Sequence, residues 1–372
     1  MRYLNIMLKP ASSLCNLRCK YCFYADVASH RDVKSYGMID ETTTESILKH
    51  IFSDLETGDR INIAFQGGEP TLSGLPYFEF FIDAVNKIRK NVNVTYALQT
   101  NATLLDDDWC VFLKKNKFLV GVSLDGPEST HNMCRVDASL EGTYKTVMAA
   151  IKRLQAHNVD FNTLMTLTNT MAKHPTQVWN FITANDFRYV QFTPCLAPFD
   201  AVGKDPYALT PQKFADFYIQ IFNNWKKELD KQNYYSIKLF DDLVNLLAFG
   251  QVNACGLTGS CASQIVIEAD GSVFPCDFYT LDEWCLGNLT RESIAQIFSS
   301  PNISAFVKRP RTRLLCASCK YNRICNGACH RMQESICYKE GESVCGYQKF
   351  LDATINQFAQ IAQRERNFQA RT

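Results

Sequence analysis

The chain has 372 residues, of which 46% are hydrophobic and 21% charged, as in an ordinary globular protein of two or three domains. Its formal net charge of +1, from 39 basic and 38 acidic residues, predicts neither a nucleic-acid partner nor binding to an anionic membrane. No run approaches the ~18 apolar residues of a membrane span, and the apolar start MRYLNIMLKP is too short for a signal peptide. We therefore expect a soluble, cytoplasmic protein.

Short β-rich runs alternate with amphipathic helical patterns from about residue 3 to residue 195. The candidate strands are 3–9, 61–66, 92–98, 118–124, 160–167 and 188–193, and the candidate helices are 41–56, 76–90, 106–116, 142–157 and 173–184. This alternation predicts βαβ crossovers and a parallel sheet. Six such units are too few to close an eight-stranded barrel, so the expected α/β fold is a partial, open (βα)6 barrel.

The alternation stops after about residue 205. Helical stretches at 207–232 and 240–249 lead into a Cys-dense region, 255–345, and an amphipathic helix is predicted over 346–365. We therefore expect a barrel domain over 1–235 and a Cys-rich domain with a C-terminal helix over 236–372.

Polar and glycine-containing segments follow several of the predicted strands. They are Gln66-Gly67-Gly68-Glu69-Pro70, Gln99-Thr100-Asn101, Asp125-Gly126-Pro127 and Pro194-Cys195-Leu196. In sheets of this kind, ligands bind at the carboxyl ends of the strands. These segments are therefore expected to surround one cavity.

Sixteen cysteines in a cytoplasmic chain favour metal ligation over disulfides. Three of them, Cys15, Cys19 and Cys22, have the spacing C-x3-C-x2-C. The alternatives are a zinc knuckle and a cluster of buried structural thiols. A zinc site requires a fourth ligand at short range, and the next candidate, His30, has no flanking pattern. A cubane iron-sulfur cluster normally takes four thiolates, so a cluster bound by three keeps one iron open to a small molecule.

A second set of cysteines lies in the C-terminal part of the chain. Its members are Cys255, Cys261, Cys276, Cys316, Cys319, Cys325, Cys329 and Cys345. Eight thiols are enough for two fully ligated cubanes, and a pair of four-cysteine zinc ribbons is the alternative. The remaining thiols are expected to be small buried apolar groups: Cys110, Cys134, Cys195, Cys285 and Cys337.

The N-terminal motif resembles the signature of the radical S-adenosylmethionine (SAM) enzymes. The resemblance implies that the open iron chelates the amino and carboxylate groups of SAM, and that one electron from the cluster releases a 5′-deoxyadenosyl radical. It also implies a set of SAM contacts: Tyr21, Gly67, Gly68, Glu69, Ser123, Arg135 and Leu196.

The second cysteine set resembles the SPASM motif, which holds auxiliary iron-sulfur clusters. The resemblance assigns Cys255, Cys261, Cys276 and Cys329 to a nearer cluster, and Cys316, Cys319, Cys325 and Cys345 to an outer one. The implied cofactors are therefore SAM and three [4Fe-4S] clusters, one at the radical site and two auxiliary.

Nearly the whole chain is similar to the anaerobic sulfatase-maturating enzymes of the Cys type or dual Cys/Ser type. The matching stretches are Leu8-Lys9-Pro10-Ala11-Ser12-Ser13, Cys22-Phe23-Tyr24, Phe65 to Leu72, Leu98-Gln99-Thr100-Asn101 and Gly271 to Tyr279. The resemblance implies oxidation of a Cys or Ser in an unfolded sulfatase to Cα-formylglycine. The radical would take a Cβ hydrogen, Asp277 would accept the thiol or hydroxyl proton, and the auxiliary clusters would accept the second electron. We also expect Tyr24, Gln99 and Asn101 to line the substrate space.

The implied partners are a peptide or unfolded sulfatase carrying Cys/Ser-x-Pro-x-Arg and an external one-electron reductant such as flavodoxin or ferredoxin. We expect the enzyme to act as a monomer. Two alternatives stay open: a SPASM enzyme that builds a thioether, cyclophane or epimerised residue in a small precursor peptide, and a non-radical iron-sulfur or zinc electron-transfer protein.

Overall fold

A computed structural model of the chain describes residues 1–252, 254–309, 315–339 and 343–369. Its contacts form two compact units that interleave along the sequence. The first comprises Met1–Ser123, Asn132–Phe161 and Ser263–Arg309, and the second comprises Leu124–His131, Asn162–Ala262 and Pro310–Thr372. Each unit consists of separate segments of the chain, so the units do not test a single boundary. The expected domain boundary after residue 235 therefore stays a prediction.

The described residues form strands and α-helices, which are numbered separately in chain order. The strands are β1 (Tyr3–Leu8), β2 (Arg60–Phe65), β3 (Asn93–Thr100), β4 (Leu119–Ser123), β5 (Phe161–Leu167), β6 (Tyr189–Pro194), β7 (Ser236–Ile237), β8 (Ile265–Ile267), β9 (Ser272–Phe274) and β10 (Gly287–Asn288). The α-helices are α1 (Phe23–Ser29), α2 (Glu41–Ser53), α3 (Gly74–Ile88), α4 (Asp107–Lys115), α5 (Glu128–Cys134), α6 (Tyr144–Ala156), α7 (Pro175–Ala184), α8 (Pro211–Asp230), α9 (Lys238–Phe249), α10 (Ile294–Phe298), α11 (Pro301–Val307), α12 (Asn322–Cys325), α13 (Gln333–Ile336) and α14 (Gly346–Gln369).

In the first unit, β8, β1, β2, β3 and β4 lie side by side and run parallel. Strands β9 and β10 continue this sheet in the antiparallel sense. The register places Leu8 opposite Phe65 on one side and Ile267 on the other. The predicted α/β architecture with a parallel sheet is confirmed, and pairing of β8 with β1 brings the segment that contains Asp277 to the N-terminal strand.

Aromatic side chains fill the core between the first unit's sheet and helix α3. The ring of Phe65 on β2 lies 4.8 Å from that of Phe78 and 4.9 Å from that of Phe81, and all three residues are buried. Helices α2 and α4 begin at aspartates, Asp40 and Asp106, whose carboxylates accept backbone N–H groups of the first helical turn. These caps and contacts hold the helices that support the strand ends.

In the second unit, β5, β6 and β7 pair in parallel. Helices α8, α9 and α14 share an aromatic core in which the ring of Phe240 lies 5.1 Å from that of Trp225 and 5.5 Å from that of Phe358. Helix α14 confirms the helix predicted at the C-terminal end. Within the described ranges, no helix combines the length and apolar character that crossing a membrane requires.

Candidate radical site and cysteine clusters

The three N-terminal cysteines lie in the loop between β1 and α1 and at the start of that helix. The backbone N–H of Leu17 donates to the sulfur of Cys15 at 3.3 Å, and that of Ala25 donates to the sulfur of Cys22 at 3.4 Å. Such N–H donors stabilise negative charge on sulfur, which is the form that binds a metal. Cys22 is exposed, whereas Cys15 and Cys19 are half-buried.

Cys15 also contacts the end of β3. The side-chain amide of Asn101 donates to the Cys15 sulfur at 3.9 Å and to Asn16 at 2.8 Å. Asn101 therefore supports the cysteine loop, and its substrate contact stays a prediction. Burial raises the pKa of the Cys15 thiol to about 11, and a bound metal cation would act against this rise by favouring the thiolate.

The segment after α5 supports the other side of the cysteine loop. The backbone N–H groups of Arg18 and Lys20 donate to the carbonyls of Val136 and Cys134. This pairing places the guanidinium of Arg135 over the ring of Tyr21, 5.6 Å from its centroid. Two residues expected to contact SAM are thus brought together, and the contact with SAM itself stays a prediction.

The glycine-rich loop after β2 packs against the backbone that precedes Cys15. Gly67 has φ +133°, a conformation that favours glycine, and a Cβ on Gly68 would lie 1.9 Å from the carbonyl oxygen of Leu14. The N–H of Gly68 donates to the carbonyl of Ser12, and that of Glu69 to the carbonyl of Leu14, both at 2.8 Å. The sequence indicated a close approach of this backbone to a ligand, and the structure adds a close approach to the cysteine loop.

Glu69 connects the ends of β2 and β3. Its buried carboxylate accepts hydrogen bonds from the backbone N–H and hydroxyl of Thr71, the hydroxyl of Thr100 and the backbone N–H of Asn101. Burial raises its pKa and these hydrogen bonds act against that rise. One strand further along, the amide of Gln99 donates to the hydroxyl of Ser123 at 3.1 Å. The SAM contacts expected of Glu69 and Ser123, and the substrate contact expected of Gln99, stay predictions.

Asp277 follows β9, and both of its carboxylate oxygens contact residues at the start of the cysteine loop and the glycine-rich loop, which we call the two cofactor loops. The ammonium of Lys9 lies 2.5 Å from Oδ1, and the amide of Gln66 donates to Oδ2 at 2.8 Å. The Lys9 side chain is fully buried, whereas that of Asp277 is 10% exposed. Lys9 opens the segment that leads to Cys15, and Gln66 directly precedes Gly67. The candidate proton acceptor is therefore fixed at the start of both loops.

Sequence reasoning missed the buried charges behind Lys9. The Lys9 ammonium lies 3.7 Å from the centroid of the Tyr24 ring, and the Tyr24 hydroxyl donates to Glu268. Arg31 and Ser12 also donate to the Glu268 carboxylate, each at 2.8 Å. Burial, followed by the charge of Glu268, raises the pKa of Tyr24 well above its usual value. A glutamate directly after the apolar strand β8 was the available signal. Tyr24 orients Lys9 here, and its substrate contact stays a prediction.

Three of the cysteines expected at the nearer auxiliary cluster meet in the second unit. A Cβ on Gly256 would lie 2.7 Å from the Cβ of Cys329, and the charges of Cys329 and Cys261 contribute, after burial, to a raised pKa at Cys255. The fourth expected ligand, Cys276, follows β9 in the first unit. Leu196, an expected SAM contact, is a buried residue after β6 in the second unit.

The outer cysteines line one pocket in the second unit. Its lining includes Cys316, Cys319, Cys325, Cys337 and Cys345. Cys337, expected to be a packing thiol, therefore lies among the expected ligands. Among the described residues, no group of three or more Cys, His, Asp or Glu side chains is arranged around a single point that could hold a metal ion. An all-sulfur set spread around a pocket suits a cluster that contains several irons.

The sequence matches two family models, the radical SAM superfamily over residues 10–175 and an iron-sulfur cluster-binding domain, SPASM, over residues 259–320. The chain is 38% identical over 337 residues to a protein of Clostridium novyi (strain NT) named cysteine-type anaerobic sulfatase-maturating enzyme, with 90% of each chain covered. The chain belongs to the anaerobic sulfatase-maturating enzyme family. A serine-type relative from Bacteroides thetaiotaomicron is 28% identical, with 88% of this chain and 82% of that one covered.

A solved structure agrees with this family assignment. It is described as native anSMEcpe with bound AdoMet and Cp18Cys peptide, and it matches with a TM-score of 0.89 at 36% identity, covering 97% of this chain and 99% of that one. The chain is thus a radical SAM oxidoreductase with an iron-sulfur-binding SPASM domain, and the α/β fold expected from the sequence is confirmed. Its residues fit the cofactors, because three thiols, two of which accept backbone N–H groups, adjoin a glycine loop in the first unit, and a thiol-lined pocket lies in the second.

Proposed function

We propose that this enzyme oxidises a Cys or Ser side chain of an unfolded sulfatase to Cα-formylglycine, with Cys as the preferred target. The observation that carries the proposal is the position of Asp277, held by Lys9 and Gln66 at the start of the two cofactor loops. Greater identity to cysteine-type relatives, 38% against 28% for a serine-type one, supports the preference for Cys.

The cysteine sets indicate which residues hold the cofactors. Cys15, Cys19 and Cys22 would bind the radical-site cluster, with Cys255, Cys261, Cys276 and Cys329 on one auxiliary cluster and Cys316, Cys319, Cys325 and Cys345 on the other. When bound, SAM and the three [4Fe-4S] clusters supply a 5′-deoxyadenosyl radical that takes one Cβ hydrogen and an acceptor for the second electron.

The chain's own residues move the proton. Lys9 and Gln66 fix both oxygens of Asp277, so a remaining lone pair of the carboxylate points in a defined direction. Asp277 would accept the proton of the target thiol or hydroxyl. Loss of one hydrogen atom, one proton and one electron converts the methylene thiol of Cys to a thioaldehyde, and water then releases hydrogen sulfide to leave the aldehyde. With Ser the aldehyde forms directly.

The proposed partners follow from this chemistry. The substrate is a peptide or unfolded sulfatase segment carrying Cys/Ser-x-Pro-x-Arg, and the electron for SAM cleavage comes from a flavodoxin- or ferredoxin-type reductant. We place the enzyme in the cytoplasm, because metal-binding thiolates require reducing conditions, and we propose that it acts as a monomer.

The test is anaerobic turnover of the reconstituted enzyme with SAM, a strong reductant and paired peptides that differ only in Cys, Ser or Ala at the target position. Mass spectrometry should show a loss of about 18 Da from the Cys peptide, about 2 Da from the Ser peptide and no change in the Ala peptide, as the proposed oxidation requires. A crosslinked or epimerised product would instead support the modification of a precursor peptide.

The variant Asp277→Asn tests the base. We expect 5′-deoxyadenosine to form while formylglycine falls by about 100-fold or more, the usual contribution of a positioned base. Asp282→Asn is the matched control, because Asp282 is an exposed acid five residues along the chain. Equal product from Asp277→Asn and Asp282→Asn would contradict the role of Asp277.

A further inference from the structure

The outer pocket contains one more thiol than a cubane requires. Its sulfur-bearing lining residues are Cys316, Cys319, Cys325, Cys337 and Cys345. A [4Fe-4S] cluster with no open iron takes four thiolates. The family resemblance accounts for four of the five and leaves Cys337 without a role.

Cys337 faces the other sulfurs. It is 1% exposed, directly follows α13 and lines the same pocket as Cys345, and its thiol donates to the carbonyl of Gly327 at 3.7 Å. Cys316, Cys325 and Cys345 line this pocket as well. A thiol with only a packing role would lie against apolar side chains.

The backbone keeps Cys337 and Cys345 adjacent. The N–H of Gly346 donates to the Cys337 carbonyl at 2.6 Å, and the N–H of Cys337 is held by the carbonyl of Gln333 at 2.7 Å. The helix α14 that begins at Gly346 is anchored in the aromatic core, where the ring of Tyr347 lies 5.7 Å from that of Phe214. The backbone therefore holds these two pocket-lining residues close together.

We propose that Cys337 and Cys345 are interchangeable ligands for one iron of the outer cluster, so that either thiol alone completes the four-thiolate set. In the intact protein one of the two sulfurs binds the iron, and the S–H of the other donates a hydrogen bond to that ligating sulfur. Hydrogen bonds to ligating sulfur are among the factors that set the reduction potential of such clusters. This inference rests on the proposal above that the outer cysteines hold an iron-sulfur cluster.

The test compares Cys337→Ala, Cys345→Ala, the double variant and Cys319→Ala, each reconstituted anaerobically as the full chain. A cubane with an incompletely ligated iron loses that iron on mild ferricyanide oxidation and gives the EPR signal of a [3Fe-4S] cluster. SAM is added to all samples to occupy the open iron of the N-terminal site. Far-UV circular dichroism and SAM binding confirm that each variant is folded.

We expect both single variants, Cys337→Ala and Cys345→Ala, to match the unsubstituted protein. The double variant and Cys319→Ala should each give about one additional [3Fe-4S] cluster per chain, or lose about four irons. A signal from Cys345→Ala equal to that of Cys319→Ala, a signal from Cys337→Ala alone, or no signal from the double variant would each overturn the inference. Zinc in the unsubstituted outer site would instead contradict the cofactor assignment on which it rests.

Discussion

The two cysteine sites differ in how many thiols they present and how far these are exposed. The N-terminal site has three thiols on one short stretch of chain, with Cys22 exposed. The outer pocket has five thiols from three segments, and Cys316, Cys325 and Cys337 are buried. The first arrangement leaves room for an external ligand, whereas the second supplies enough sulfur to enclose a cluster. This difference supports our proposal of SAM chemistry at the first site and electron storage at the second.

The largest effect is expected from Cys22→Ala. Because the N-terminal motif supplies only three thiols, loss of one ligand should reduce SAM cleavage to background, measured as 5′-deoxyadenosine released under strong reductant. Cys110→Ala is the control, since Cys110 is a buried thiol of α4. Cleavage at the normal rate in Cys22→Ala would show that the N-terminal site tolerates the loss of one thiol, as we propose for the outer pocket.

A smaller effect is expected from Lys9→Met, which removes the charge that holds Asp277 but keeps the length of the side chain. Formylglycine should fall by about 100-fold through misplacement of the base, while SAM cleavage continues. The free energy of unfolding should also fall by about 3–5 kcal/mol, because a buried carboxylate loses its partner.

The double variant Lys9→Met/Asp277→Asn separates these two effects. It should recover part of the lost thermal stability, since neither charge is then left unpaired, but none of the lost product. Recovery of product together with stability would mean that Lys9 acts only on folding.

Gly68→Ala should weaken SAM binding about tenfold, or about 1.4 kcal/mol, because the new Cβ forces the glycine loop away from Leu14. Equilibrium binding of SAM to the reconstituted protein measures this. Gly58→Ala is the matched control: its φ of +91° strains an alanine, but no atom lies within 4 Å of the new Cβ. Equal affinities in the two variants would show that contact between the loops does not shape the open site.

The smallest effect is expected beside the outer pocket. The Tyr321 hydroxyl donates to Asp352 on α14 at 2.9 Å, and Tyr321→Phe should lower the free energy of unfolding by about 1 kcal/mol. SAM cleavage should not change. Thermal unfolding and the 5′-deoxyadenosine assay check the two parts of this prediction, and a loss of cleavage would show that the two sites are not independent.

Local sequence patterns predicted much of this architecture. Short β-rich runs and amphipathic helical patterns placed β1 to β6 and most long helices within a few residues, because these patterns depend on neighbours in the chain. The hairpin of β8 and β9 has one local signal in the sequence, the turn-type residues Ala269-Asp270-Gly271. Nothing local indicated that β8 pairs with β1, since strand pairing across more than 250 residues is decided by the packing of the whole unit.

The amino-acid sequence by itself determined the chemistry of this protein: three thiols at C-x3-C-x2-C, a glycine pair after β2 and a second set of cysteines specify which cofactors the chain can bind, because ligand type and short spacing are local properties. Only the tertiary structure decided which side chains act on one another. Lys9 contacts Asp277, which lies 268 positions away in the chain. Glu268 accepts hydrogen bonds from Ser12, Tyr24 and Arg31, and Cys337 lines the pocket of the outer thiols. Such contacts arise because buried charges and polar groups must find partners, wherever in the chain those partners lie.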